Sequence, residues 1–253
     1  MRFATCRFMP LVILAVFGAA LPSTSATIYF DDFNGSSGTD LAGTAPDVRP
    51  GSETWASGTA DTGIPGVLWK ADGSVLASTT GGGGVSAVLP FSPASGNIYE
   101  LSVRLNPTRT DGSGDWLALG FGTVTGSLPG SGAPWVYKRG DGLFDTASLL
   151  GPGVGGIVSH GSPTGLQPSP TDFRIVLNTT ALSWTAEWFI DNTSVRTATY
   201  STNPTITHVG IFRYESAAGS AGDFQLTVIP EPGTAMLFGL GLAGLAVRQR
   251  KGA

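Results

Sequence analysis

Between residues 27 and 229 apolar and polar positions alternate in short runs, and Gly, Pro, Asn, Asp and Ser separate one run from the next. A period of two marks half-buried strands, and short strands closed by turns predict an antiparallel sandwich or barrel. The runs are residues 27–33, 67–70, 75–78, 98–105, 116–122, 135–138, 173–178, 182–190, 195–200, 208–214 and 224–229. Asp72-Gly73 between two of them is a two-residue hairpin signal, and Asp191-Asn192 separates residues 182–190 from 195–200. With Asn178-Thr179-Thr180 before it, residues 182–190 become the middle strand of a meander. In that strand Trp184, Ala186, Trp188 and Ile190 share the face expected to meet the core, and Thr185, Glu187, Phe189 and Asp191 share the other. No amphipathic helix of three turns is visible. The expected fold class is all-β: a single antiparallel β-sandwich over residues 27–229, with no internal repeat, and with residues 81–84 and 151–170 as long loops.

Composition agrees. Of 253 residues only 13% are charged, 37 are Gly and 17 are Pro. Such a chain is too apolar for disorder and too poor in Lys, Glu and Gln for a helical bundle. The net charge of -4 leaves no basic footprint for nucleic acid.

The two ends break the alternation. Arg2 and Arg7 precede an apolar run at residues 10–20, and Thr24-Ser25-Ala26 supplies small residues for cleavage. This is the pattern of a secretory signal peptide over residues 1–26, cut after Ala26, with Ala20 as the alternative site. Cys6 is the only cysteine and lies within it, so residues 27–253 have no disulfide and no thiolate ligand. At the other end, Pro230-Glu231-Pro232 is followed by an uncharged run at 233–247 and then by Arg248, Arg250 and Lys251. As a helix that run would span ~22 Å, short of a ~30 Å hydrocarbon core. The basic cluster would stay cytoplasmic and leave the main domain outside. The tail resembles the PEP-CTERM sorting signal, with Pro230, Glu231 and Pro232 as the sorting motif and Arg248, Arg250 and Lys251 as the cytoplasmic anchor. The resemblance implies recognition by an exosortase at the inner membrane of a Gram-negative bacterium that makes extracellular polysaccharide. Delivery to the cell surface or matrix would follow export by the general secretion machinery.

Five of the 14 Lys and Arg and one of the 18 Asp and Glu lie in these ends, which leaves 9 bases against 17 acids over residues 27–229. A domain of net charge -8 suits solubility outside the cell and is repelled by anionic polymers unless cations bridge them.

Within the sandwich, Asp31-Asp32-Phe33-Asn34-Gly35, Leu89-Pro90-Phe91, residues 98–103 leading to 116–121, and Glu187-Trp188-Phe189-Ile190-Asp191 resemble concanavalin A-like (laminin-G-like) jelly-roll domains of bacterial surface proteins. The resemblance implies two antiparallel sheets, one often concave. That fold hosts lectins, glycosidases, adhesion modules and spacers, so it does not select among them.

Catalytic chemistry is sparse. The two histidines, His160 and His208, have no Gly-x-Ser-x-Gly elbow beside them and are too few for a zinc site. Glu187 and Asp191 would lie ~13 Å apart along one strand, too far for a glycosidase pair. The Glu-x-Asp-x-x-Glu cluster of laminarinase-type jelly rolls is missing. Asp111 and Asp115 flank a flexible Gly-Ser-Gly and are the candidate metal ligands, with Asp31-Asp32, Asp141 and Asp145 as further oxygens for Ca²⁺. Gly151-Pro152-Gly153-Val154-Gly155-Gly156 has no following helix and reads as a loop. Of the six tryptophans, Trp55 and Trp135 lie near loops and are the ones expected to escape the core; Trp69, Trp116, Trp184 and Trp188 read as core. Asn34, Asn178 and Asn192 begin formal N-glycosylation triplets.

The sequence therefore reads as a non-enzymatic surface or extracellular-matrix protein sorted through its tail, with no cofactor beyond a calcium option. The alternative is a carbohydrate-binding module of the exopolysaccharide matrix, and a polysaccharide-active enzyme stands third.

Overall fold

A computed structural model describes residues 24–34, 39–59, 68–71, 74–77, 85–107, 116–122, 132–139, 144–148, 158–159, 170–214 and 219–230, and every regular element among them is a strand. One sheet contains β1 (Ala26–Asp31), β2 (Thr39–Asp40), β4 (Leu68–Ala71), β5 (Ser74–Ala77), β7 (Asn97–Pro107), β12 (Thr171–Asn178), β13 (Thr185–Ile190), β14 (Thr193–Thr199) and β16 (Gly219–Pro230). Its order is β14-β13-β12-β7-β16-β5-β4-β2, with β1 also on β16. The other contains β3 (Ala56–Thr59), β6 (Val85–Pro90), β8 (Trp116–Gly122), β9 (Pro134–Arg139), β10 (Phe144–Ser148), β11 (Val158–Ser159) and β15 (His208–Tyr214), in the order β11-β10-β9-β8-β15-β6-β3. All pairings are antiparallel. The all-β antiparallel sandwich read from the sequence is the fold of the chain, and residues 24–231 make one compact unit.

Strand alternation builds the core. Leu101, Val103 and Leu105 of β7, Phe173, Ile175 and Leu177 of β12, and Phe224 and Leu226 of β16 meet Leu117, Leu119 and Phe121 of β8 and Val209 and Ile211 of β15 between the sheets. The face expected to be inward on the meander is inward: Ala186, Trp188 and Ile190 are buried, and Trp184 packs half-buried against them. Trp188 anchors the two sheets to each other, since its indole Nε1 donates to the Trp135 carbonyl at 3.0 Å. Asp191 and Asn192 both have positive φ (47° and 64°) between the paired residues Ile190 and Thr193, a tight two-residue hairpin of the kind that matches strand twist.

Several boundaries differ from the sequence reading. β13 begins at Thr185, and residues 182–184 belong to the preceding turn, where Asn203 holds the chain by accepting from Trp184 N and donating to the Leu182 carbonyl, both at 2.9 Å. β6 has no alternation to betray it, because Val85, Ser86, Ala87, Val88 and Leu89 are all buried. Part of the stretch expected to be loop, Val158–Ser159, pairs with β10 as β11. Residues 81–84 and the hairpin turn at 72–73 lie outside the described residues, although Ala71 pairs with Ser74 around that turn.

Gly120 sits opposite Trp135 in the β8–β9 ladder, where an added Cβ would lie 2.4 Å from the Trp135 Cβ. Gly120→Ala is expected to cost about 1–3 kcal/mol of stability, the usual penalty of overpacking. Urea unfolding checks this; a loss within the scatter of surface substitutions would contradict the close approach.

Candidate functional site

The second sheet presents aromatic side chains on the face turned away from the first. In β8 the core takes Leu117, Leu119 and Phe121, so Trp116, Ala118 and Gly120 point outward. The neighbouring strands put rings beside those small residues: Ala118 pairs with Tyr137 of β9 and with Phe212 of β15, Gly120 with Trp135, and Trp116 with Tyr214. Trp116 has room to fill the space over this shallow track. Its ring centroid lies 5.4 Å from Trp135, 4.8 Å from Tyr137, 5.0 Å from Phe212 and 5.1 Å from Tyr214, with the Tyr214 ring tilted by only 17°. Trp135 and Tyr137 stack at 4.9 Å. Trp135, Tyr137 and Phe212 are buried, whereas Trp116 and Tyr214 keep part of their surface in solvent. The Trp135 indole Nε1 is buried without a hydrogen-bond partner.

The outer face of the first sheet is polar. Arg104 of β7 pairs with Asp172 of β12 at 2.8 Å and approaches Asp223 at 3.8 Å. The Asp172 carboxylate holds the Arg104 guanidinium above its ordinary pKa. Arg174 pairs with Glu100 at 3.2 Å and lies 3.8 Å from the centre of the Phe189 ring. The five charged side chains line a cavity of about 510 Å³ in which acids and bases largely neutralise one another.

A third group is acidic. Oxygens of Asp31, Asp32 and Asp47 lie within 4.8 Å of one another and could hold a metal ion. Each also has N–H donors. Asp31 accepts from Phe33 N at 2.8 Å and from Trp55 Nε1 at 2.7 Å; Asp32 accepts from Asn34 N at 2.9 Å; Asp47 accepts from Asp32 N at 2.9 Å. These bonds place the three carboxylates beside one another.

The residues singled out in the sequence separate accordingly. Trp55 is core: it is buried and meets Phe224 edge-on at 4.9 Å, because Asp31 satisfies its N–H. Trp135 is buried as well, in a second cluster on the outer face of its sheet and not in the main core between the sheets. Trp116, read as core, is the centre of that face, and the side chain of Trp69 lies outside the described residues. His208 is buried beside Thr207, whose Oγ1 lies 2.7 Å from its Nδ1. Glu187 accepts from Ser194 Oγ across the β13–β14 pair, and Asp191 in the hairpin turn accepts from Asp172 N of β12, so each carboxylate is engaged with a neighbouring strand. Ala26 begins β1, and Pro230 ends β16. Asp111, Asp115, Asp141, His160, residues 151–156, Glu231, Pro232, Arg248, Arg250 and Lys251 lie outside the described residues, as does the side chain of Asp145. Among the described residues no helix is long and apolar enough to cross a membrane.

No curated protein matches the chain. Solved structures do match its fold. An endo-1,3-beta-glucanase from Streptomyces sioyaensis aligns with a TM-score of 0.58 at 15% identity, covering 83% of this chain and 99% of its own. A protein with a galectin-like fold from Bacillus subtilis aligns at 0.52 and 13% identity, covering 81% and 98%. The carbohydrate recognition domain of Emp46p in its potassium-bound form aligns at 0.50 and 13% identity, covering 79% and 98%. These likenesses establish the concanavalin A-like jelly-roll fold. The family described as the PEP-CTERM protein-sorting motif matches residues 228–251. The chain is therefore a concanavalin A-like jelly roll that carries a PEP-CTERM sorting motif at its C-terminal end.

Proposed function

We propose that this is an exported, non-enzymatic protein, anchored by its C-terminal segment and then processed by an exosortase, whose sandwich binds neutral polysaccharide at the surface of a Gram-negative cell. The sorting motif supports the first half of that reading. The second half rests on one observation, the five-ring cluster centred on the half-exposed Trp116. Rings that neighbours hold in place offer large apolar contact at little entropic cost, and sugar rings present matching C–H faces. A net charge of -8 over residues 27–229 disfavours an anionic polymer and leaves neutral glycans as the chemical class. Emp46p, which shares the fold, contributes a carbohydrate recognition domain, but the rings carry the argument.

Titration of the full chain in detergent against neutral extracellular polysaccharide from the producing organism should show saturable binding that survives chelation. Trp116→Ala should weaken it about tenfold or more, equivalent to ~1.4 kcal/mol. Binding that a chelator abolishes would move the site to the acidic residues. No binding by a folded chain would leave the sorting function and remove the lectin.

A further inference from the structure

We infer that the loop end of the sandwich tipped by Leu182 is a membrane-contact surface, laid against the lipid interface while the C-terminal segment still anchors the chain. This rests on the anchoring half of the proposed function. The sorting motif and the sandwich overlap: the motif begins at residue 228, and Val228, Ile229 and Pro230 are still in the β16 ladder, opposite Tyr99, Ile98 and Asn97 of β7. The uncharged run begins at Gly233. Only Glu231 and Pro232 intervene, and a fully extended chain covers no more than about 11 Å over those three steps. The end of the sandwich where β16 stops is thus short-tethered to whatever holds the run. β1 starts at that same end, since Ala26 pairs with Val228. The residue expected at the signal cleavage site and the first residue of the sorting motif are therefore neighbours on adjacent strands, and both expected membrane segments leave the sandwich from one end.

The loops at this end suit such a contact. Residues 91–97, 178–184 and 200–207 meet there and contain no Asp, Glu, Lys or Arg. By contrast, the Arg104–Asp172–Asp223 cluster lies toward the opposite end of β7 and β12. Leu182 is 96% exposed. One exposed leucine is ordinary on a protein surface. This one is held out by a tied framework. Asn203 clamps both sides of it, through the Leu182 carbonyl and Trp184 N; Thr179 Oγ1 donates to the Ala94 carbonyl at 2.8 Å; and Gly96 N donates to the Thr179 carbonyl at 3.0 Å. An acidic domain close to anionic lipid is repelled wherever its carboxylates face the surface. Glu53, which lines a pocket with Ser92, Thr207 and Val228, is a carboxylate beside these loops, but the three uncharged loops with their rigidly presented apolar tip are the part that approaches with least of that penalty and gains by entering the interface.

The test uses the full chain carrying Cys6→Ser, reconstituted in vesicles of phosphatidylethanolamine and phosphatidylglycerol with nitroxide at the headgroup level. A bimane label is placed at Leu182→Cys or at Thr193→Cys, the latter an exposed position beside the β13–β14 hairpin turn at the opposite end of the same strands. Quenching several-fold stronger at 182 than at 193 is expected. A label at Ala181→Cys should lose most of its quenching when Leu182→Asp is added. Equal, weak quenching at 182 and 193 in a chain that floats with the vesicles would overturn the contact and leave the anchor intact. A chain that fails to float would overturn the anchored reading and the contact with it.

Discussion

Asp31→Ala should be among the most damaging substitutions in the sandwich, with an expected loss of about 2–6 kcal/mol, because each unpaired buried donor costs about 1–3 kcal/mol. Asp31 is fully buried, and its two oxygens accept from Phe33 N and Trp55 Nε1. Truncation to Ala strands both donors away from water. Two further effects act in the same direction. Phe33 is a buried non-glycine residue with φ of 57°, a left-handed conformation that needs support, and the Asp31 oxygen supplies it. Trp55 rests on Phe224 and Phe33 at 4.9 and 6.1 Å, so a released indole unsettles three large rings. Asp31→Asn keeps one acceptor oxygen of the same shape and should cost roughly half as much, on the same accounting of one lost acceptor. Urea unfolding followed by tryptophan fluorescence separates the outcomes. A midpoint for Asp31→Ala close to that of the unaltered chain would mean that the Asp31 carboxylate does not hold the Trp55 clamp.

Asp31 also shows where reading a sequence stops. Asp31-Asp32 is visible as a carboxylate pair and reads as metal chemistry, because its partner Trp55 is 24 residues away and reaches it only through the fold. Trp188 is legible, since period-two alternation fixes its face without knowledge of any neighbour. Trp116 is not. The strand WLALGFG declares one apolar face and one of Trp, Ala and Gly, which looks weakly packed. Only the register, with Ala118 between Tyr137 and Phe212, turns the small residues into a floor for rings from two other strands. β6 escapes for the opposite reason: a strand buried on both faces shows no alternation. Leu182 reads as the start of a strand by composition, and the Asn203 clamp that makes it a tip comes from 21 residues away. The C-terminal signal is readable because it is linear, a motif followed by an apolar run and a basic end, and needs no fold to be recognised.

Alkaline pH should destabilise the sandwich through Tyr29, and Tyr29→Phe should remove that part of the response. The Tyr29 hydroxyl donates to the Pro90 carbonyl at 2.6 Å, tying β1 to the end of β6 in the other sheet. Burial, with the Glu53 carboxylate adding to it, pushes the phenol from 10.0 up to about 12. An acid whose folded pKa is raised favours the folded state while it is protonated. Its contribution is complete below about pH 10 and is lost as the unfolded chain ionises between about pH 10 and 12. Two pH units correspond to a ceiling of about 2.7 kcal/mol. Tyr29→Phe lacks the hydrogen bond and should be less stable at neutral pH by about 0.5–1.5 kcal/mol. It has no phenol to ionise, so its stability should fall less steeply above about pH 10. The two curves should cross near about pH 11, where the cost of ionising the unfolded phenol has grown to match the lost hydrogen bond. The other tyrosines are common to both chains and cancel in the difference. Curves that stay parallel from about pH 8 to 12 would show that Tyr29 reaches water in the folded state. The bond to Pro90 would then not be what holds the two sheets together at the end from which the sorting tail departs.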